Sequence, residues 1–415
     1  MSDLQRLGRR LTASYALIQS MFNMAYCCIM AFAAVFLLSR GFSNAEVGLT
    51  LTIAGGLTLI SQPIIAAFAD RTRRLTLGQI VAGLLLACLL ASLLLMVTPT
   101  LVLPTAMLYI LLFCAFGCQG SLVTSLAMEH INAGAPLNFS LARGIGSFAF
   151  AVLALVLGNL TNRYGGGIVA PVGVAISLLG IFLVATFPRA AQPATGGGEA
   201  AAEQAVGFGE FAGQNPRFMA LIGSIALLYF SHVLINTYAI QIIAHVGGSS
   251  AELGIASAIG GFLELPAMAL FPLLMRRVQN AGTILKWSGV FLVIKTLVTL
   301  LAPSVGWIYV AQCLQFFAFA MFVPASVYYV NQVIQGANKV KGQTGIALGT
   351  GISGMIGSFL GGFMLDSSGG VGFMLTVGLG VSLIGLVLVL VLIERPKTML
   401  DWKNTSAPIS ENDAV

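Results

Sequence analysis

Charge is scarce in this chain. Of its 415 residues only 14 are acidic and 20 basic, together 8% of the sequence, and there are just three histidines and three tryptophans. A soluble domain must cover itself with hydrated groups; a sequence that is 58% hydrophobic, with mean hydropathy +0.95, has too few of them. A soluble fold is thereby excluded. Cysteine is sparse as well: Cys27, Cys28, Cys88, Cys114, Cys118 and Cys313 lie in apolar runs without metal-ligand spacing and read as small core residues. His-Glu-x-x-His, paired-Asp motifs, the Gly-x-Ser-x-Gly nucleophile elbow and a nucleotide-binding loop are all missing, which removes support for a membrane enzyme or an ATP-driven pump. We therefore expect no catalytic residues, no metal and no cofactor.

What the chain does have is long apolar runs. A run of about 20 residues crosses about 30 Å of hydrocarbon at 1.5 Å per residue. Such runs place spans near 11–38, 44–69, 76–97, 103–128, 140–162 and 167–188, and a second set near 217–245, 251–275, 282–302, 304–333, 342–365 and 370–393. The first run follows Arg6, Arg9 and Arg10 but is too long for a signal peptide and ends without a small-residue cleavage site, so it reads as a span. With the N-terminus inside, sixteen basic residues fall on the inner side and only Arg40 and Arg163 on the other. That asymmetry predicts a multi-pass protein of the cell (inner) membrane with both termini cytoplasmic. It also accounts for the net charge of +6 without a nucleic-acid partner.

The spans fall into two halves. Residues 1–188 are expected to form one six-helix bundle and 217–394 another, joined by a small, polar, Gly/Ala-rich cytoplasmic linker at 189–216 and followed by a disordered tail at 395–415. Gly41-Phe-Ser-Asn-Ala-Glu46-Val-Gly48-Leu recurs 206 positions later as Gly247-Gly-Ser-Ser-Ala-Glu252-Leu-Gly254-Ile, and the same offset places Arg71 on Arg277. A parallel repeat of this kind builds transporters with the substrate site between the halves near the bilayer midplane. Ser43 with Glu46 and Ser249 with Glu252 fit capping boxes at helix starts, so these two acids read as structural. Gly357-x-x-x-Gly361 lies in a glycine-rich span and reads as a close-packing surface.

Against this background four charges stand out: Glu129, Arg143, Glu264 and Lys295, inside or at the edge of spans. A charge at the bilayer centre costs about 2.5–3.5 kcal/mol on insertion scales, so it faces a polar path or a partner. Glu264 and Lys295 each lie 13 residues from the start of their spans, at Ala251 and Gly282, on consecutive helices running in opposite directions. Both are then about 20 Å from opposite faces and can pair, directly or through water. Glu129 and Arg143 are equidistant from Pro136 in their connecting loop, and a second pairing is expected there. Glu264 reads either as a proton or substrate-hydroxyl acceptor in alternating exposure, or as half of a permanent salt bridge with Lys295. Polar residues at helical spacing point to a cavity: Gln19, Asn23 and Tyr26 on the first span, and Tyr229, His232 and Asn236 on the seventh.

Several segments together resemble the major facilitator superfamily, and within it the oligosaccharide:proton symporter branch of lactose permease and the phenylpropionate permeases. They are Gln62-Pro63 through Asp70-Arg71-Thr-Arg73-Arg74, Asn138-Phe139, Ala142-Arg143 through Gly146-Ser147 and Phe150, Ser231-His232, Leu263-Glu264-Leu-Pro266, Tyr328-Tyr329-Val-Asn331 and Lys341-Gly342-Gln343. The resemblance implies an all-α integral membrane fold, twelve transmembrane helices in two six-helix bundles rocking about a central cavity. It places Asp70, Arg71 and Arg74 at a cytoplasmic gate and Arg143, followed by Ser147 and Phe150 on one helix face, at the substrate. Departures are equally informative. Lys295 stands where an Arg is usual; Ser125 takes the place of the family's sugar-binding acid, with Glu129 one turn nearer the cytoplasm. Gln312, Gln315, Phe319 and Phe322 occupy a face where lactose permease carries its coupling residues. Lactose is therefore a poor candidate.

The expected function is a monomeric carrier in the lipid bilayer, driven by a proton gradient, for a small-molecule substrate that is polar and organic, foremost a sugar or glycoside. The alternatives are import of an aromatic carboxylic acid, efflux of a sugar or drug, or a receptor built on a transporter fold.

Overall fold

The computed structural model describes residues 3–72, 74–188, 208–334 and 338–394. All regular structure among them is helical. Eleven helices are long and apolar enough to cross a bilayer, or twelve when the bent pair at the start counts as one span. We number these spans in order. α1 comprises Asp3–Tyr26, a π-helical turn Cys27–Ala31 and, after a 50° bend, Ala33–Ser39. α2 is Asn44–Arg71, α3 Leu77–Val97, α4 Val102–Gly117 continued by Gln119–Asn132, α5 Phe139–Tyr164 and α6 Val169–Thr186. α7 is Pro216–Thr237 continued by Ala239–His245, α8 Ser250–Val278 and α9 Ala281–Leu300. α10 joins Val305–Cys313, a 3-10 turn Leu314–Phe316 and Phe319–Val333; α11 is Lys339–Asp366 and α12 Gly370–Leu392.

The expected spans are therefore present, with three differences. α4 breaks at Cys118 and α10 at Phe317 and Ala318, whereas hydropathy alone reads each as one continuous run. Residues 208–214 of the expected linker form a helix, Phe208–Gln214, because Phe211 is fully buried and packs its ring edge-on to Phe218 at 6.2 Å. Residues 189–207 of the linker and the tail lie outside the described residues. Of the six cysteines, Cys313 is exposed rather than in the core, since it lies on the outward side of the first half of α10.

The repeated motif does the same work twice. Gly41 and Gly247 adopt φ of +87° and +84°, the left-handed conformation that only glycine reaches without strain, and so end the preceding helix. Ser43 and Ser249 then cap α2 and α8, and Glu46 and Glu252 reach back to the cap residue's own N–H at 2.8 and 2.7 Å. One turn on, Gly48 lies against the Ser358 carbonyl of α11 and Gly254 against the Ala154 carbonyl of α5. No Cβ fits at either place. α5 thus packs along α8 and α2 along α11, and these two seams join the bundles.

Both seams close at the end away from the chain termini. Asp366 at the end of α11 accepts hydrogen bonds from Asn44 Nδ2 and the Ala45 N–H, both at 2.8 Å, at the N-terminus of α2, where the helix dipole favours an anion. Gln241 of α7 donates to Asn44 Oδ1 at 2.9 Å, and the Thr52 hydroxyl to the Met355 carbonyl at 3.0 Å. The buried core has the same asymmetry. In the far half one core runs through both bundles, from Phe36 and Leu157 to Leu234 and Leu253. In the terminal half there are two, one around Tyr15 and Leu126, the other around Phe218 and Tyr329. The bundles are joined at the far face and parted at the terminal face.

Two substitutions test this seam. Gly254→Val, whose side chain strikes Ala154, is expected to cost the closed far face about 1–3 kcal/mol while leaving each bundle folded. Spin labels on the α1–α2 and α7–α8 loops should then report a longer distance. Asp366→Ala removes an exposed latch, and a shift of about 1 kcal/mol, roughly fivefold in population, towards far-face opening is expected in the same measurement.

Candidate functional site

Where the seams part, a cavity of about 460 Å³ opens between the bundles, within the range of small-molecule sites. One wall is built by the first bundle: Asn23 and Tyr26 from α1, Thr58 from α2, Phe113 from α4, and Ser147 and Phe150 from α5. The second bundle supplies His232 and Asn236 from α7, Ser257 and Glu264 from α8, and Gln312, Gln315 and Phe319 from α10. Tyr26 is 46% exposed although it sits deep between the bundles, because the space it faces is the cavity. Its ring lies 5.9 Å from that of Phe150. Phe150 in turn rests on α8 at Gly261, where a Cβ would come within 2.6 Å of the ring. On the opposite side the His232 ring stacks on Phe319 at 5.1 Å and 8°.

Eight of the expected residues thus share one cavity: Asn23, Tyr26, Ser147, Phe150, His232, Asn236, Glu264 and Gln315. Gln312 and Phe319 join them. Gln19 is buried behind the wall, accepting from the Tyr15 hydroxyl at 3.2 Å and, through its carbonyl, from Asn23 Nδ2 at 2.9 Å. Tyr229 and Phe322 pack behind His232 with rings 4.7 Å apart. Arg143 is exposed one turn below Ser147, towards the terminal face, within electrostatic reach of Glu264 across the gap but forming no ion pair among the described residues.

Neither expected charge pair forms. Lys295 is only 1% exposed, and its ammonium donates to Gln312 Oε1 at 3.1 Å and Gln315 Oε1 at 2.6 Å, not to Glu264. Equal depth fixes height along a helix but not azimuth, and α9 turns Lys295 towards α10, behind the cavity wall. Glu129 likewise makes no ion pair with Arg143. It shares an exposed strip of α4 with Ser121 and Ser125, and neither Ser125 nor Glu129 lines the cavity. Of the residues expected at a gate, Arg71 and Arg74 are exposed at the open terminal face; the side chain of Asp70 lies outside the described residues. Thr58, Ser257 and Ser358 line the cavity unforeseen. Ser257, Gly260, Gly261 and Glu264 follow helical spacing on α8, and that stripe was the signal for Ser257.

A central chamber between two helical bundles is the feature to compare with known proteins. The MFS_1 like family matches residues 14–375 of this sequence. The chain belongs to that family. No curated protein matches it. Among solved structures it is similar to a point mutant of the nucleoside transporter NupG, with TM-score 0.78 and 13% identity, over 92% of this chain and 100% of that one. It is also similar to a D-xylose-proton symporter, with TM-score 0.67 and 14% identity, over 92% and 96% of the two chains. An auto-inhibited POT family peptide transporter superposes with TM-score 0.70 at 10% identity, over 92% and 96%. At these identities the likeness is one of fold, and the fold is that of a multi-pass secondary transporter of the major facilitator type. Among the described residues no cluster of three or more His, Cys, Asp or Glu side chains is placed to hold a metal.

Chemically, the cavity offers one carboxylate, four uncharged amides, hydroxyls and aromatic faces. An amide or hydroxyl pairs with a solute hydroxyl, and an aromatic ring covers an apolar or planar face of the solute. The arrangement suits a neutral, hydroxylated solute with a flat side.

Proposed function

We propose that this protein is a proton-coupled secondary transporter of a sugar or glycoside in the cell (inner) membrane, working by alternating access with both termini cytoplasmic. In that orientation the described conformation is open to the cytoplasm. The observation that carries the reading is the composition of the cavity. Glu264 is its one acid, no ion pair engages it among the described residues, and the remaining polar groups are Asn, Gln, Ser, Thr, His and Tyr. A carboxylate left unpaired in a chamber that is wet in one state and closed in another can take up a proton on one side and release it on the other. Two of the similar structures are a nucleoside transporter and a D-xylose-proton symporter, and a nucleoside is a glycoside and D-xylose a sugar. An aromatic carboxylate fits less well, since Glu264 opposes an anion and the ammonium of Lys295 is buried behind the wall on the glutamine oxygens.

Uptake of a panel of sugars, glycosides and aromatic acids into proteoliposomes holding an internal pH dye tests the proposal. Glu264→Gln is expected to keep solute exchange and to lose both uphill accumulation and solute-driven proton movement; undiminished proton movement removes Glu264 from coupling. Arg143, at the open mouth, is expected to guide and bind solute hydroxyls, so Arg143→Ala should weaken affinity roughly tenfold or more with an unchanged elution profile. Unaltered affinity would take Arg143 out of the site.

A further inference from the structure

Lys295 carries a consequence for what the cavity accepts. An ammonium group has three N–H donors and no acceptor, whereas a primary amide has a carbonyl oxygen on one side and an NH₂ on the other. Lys295 Nζ lies 3.1 Å from Gln312 Oε1 and 2.6 Å from Gln315 Oε1. Neither amide can turn over without setting NH₂ against NH₃⁺. With both oxygens held towards the lysine, both NH₂ groups are left for the cavity that Gln312 and Gln315 line. This wall therefore presents paired donors.

The other polar groups of the cavity are sorted the other way. Asn236 Nδ2 is committed to the His232 carbonyl at 2.7 Å and lies 3.1 Å from His232 Nε2, which leaves its Oδ1 as acceptor. Asn23 Nδ2 is committed to the Gln19 carbonyl at 2.9 Å, which leaves its Oδ1 likewise. Glu264 adds two carboxylate oxygens. Beside the donor pair, Phe319 offers a ring already stacked parallel to His232.

We propose that Lys295 is a positioning residue that sets specificity: by holding Gln312 and Gln315 with their N–H groups towards the cavity, it selects glycosides whose planar ring carries adjacent lone-pair acceptors, such as carbonyl oxygens or ring nitrogens. The sugar hydroxyls of such a solute donate to Asn23, Asn236 and Glu264. This rests on the reading of the cavity as a glycoside site and adds which part of the glycoside meets which wall. A site built from buried donors rejects an analogue that lacks the matching acceptors, because the donors are then left unpaired.

The test compares two probes on the purified full-length chain by calorimetric titration: uridine, and the phenyl C-riboside with the same ribose and a ring without acceptors. D-xylose uptake into proteoliposomes is measured in parallel. Uridine is expected to bind roughly tenfold tighter than the phenyl riboside. The ratio should fall towards one in Gln312→Glu and Gln315→Glu, which keep shape but cannot donate, and in Lys295→Met, which frees both amides; Lys295→Arg should preserve it. A lysine that merely stabilises the α9–α10 contact makes the opposite forecast, since Gln312→Glu gives it an ion pair and leaves the ratio alone. Should Lys295→Met fail to fold, the two glutamine variants decide the matter by themselves. Equal binding of the two probes, or a ratio unmoved by Gln312→Glu, overturns the proposal. D-xylose uptake without uridine binding also overturns it while leaving the transport reading intact, and absence of both overturns the two together.

Discussion

The molecule depends on how closely two pairs of backbones approach. In lipid there is no hydrophobic force to drive helices together, so association rests on packing of small residues and on polar contacts. Gly48 against Ser358 and Gly254 against Ala154 supply that packing, and on the α5–α8 seam Gly158 would, with a Cβ, come within 2.7 Å of Gly254 Cα. Around these contacts the far half condenses into a single core shared by both bundles. The terminal half, where the cores separate, is open for the same reason. The cavity is the place where the close approach ends, and its floor is the last turn of the two seams.

Given that floor, the charges are arranged by what a place with little water allows. A lone buried ammonium is costly unless its protons find acceptors, and the two amide oxygens of Gln312 and Gln315 offset part of that cost for Lys295. The carboxylate of Glu264 is treated differently: it faces the cavity, where water reaches it, and Arg143 stands across the gap without closing on it. One ionisable group is thus built into the wall and the other is left at the surface of the chamber. A permanent Glu264–Lys295 bridge would have removed both from use.

Much of this was legible in the residues alone. Apolar runs located the spans to within a few positions, and the Ser-x-x-Glu signature at Ser43 and Ser249 was read correctly as capping, against the temptation to make Glu46 and Glu252 functional. Polar stripes at helical spacing found Asn23, Tyr26, His232 and Asn236, because periodicity tells which residues share a face. What sequence depth could not supply was rotation about the helix axis. Lys295 and Glu264 are matched in depth by their positions along the chain yet point to different neighbours, and Glu129 and Arg143 repeat the lesson. The breaks in α4 and α10 were hidden for another reason: neither Cys118 nor Ala318 is a residue type that interrupts a helix. Asp366 went unremarked since its partners, Asn44 and Ala45, are more than 300 positions away.

The two glycine seams are copies of one another. α8 is the repeat of α2, and α5 and α11 occupy equivalent places in their halves, so each half both offers the glycine and receives the other's. Such an interface is isologous, as in a twofold dimer. A single six-helix unit bearing one copy of the motif would present both the glycine and the surface that receives it, while the two walls of the chamber differ in what they carry, one aromatic and hydroxyl groups, the other Glu264 and its glutamines.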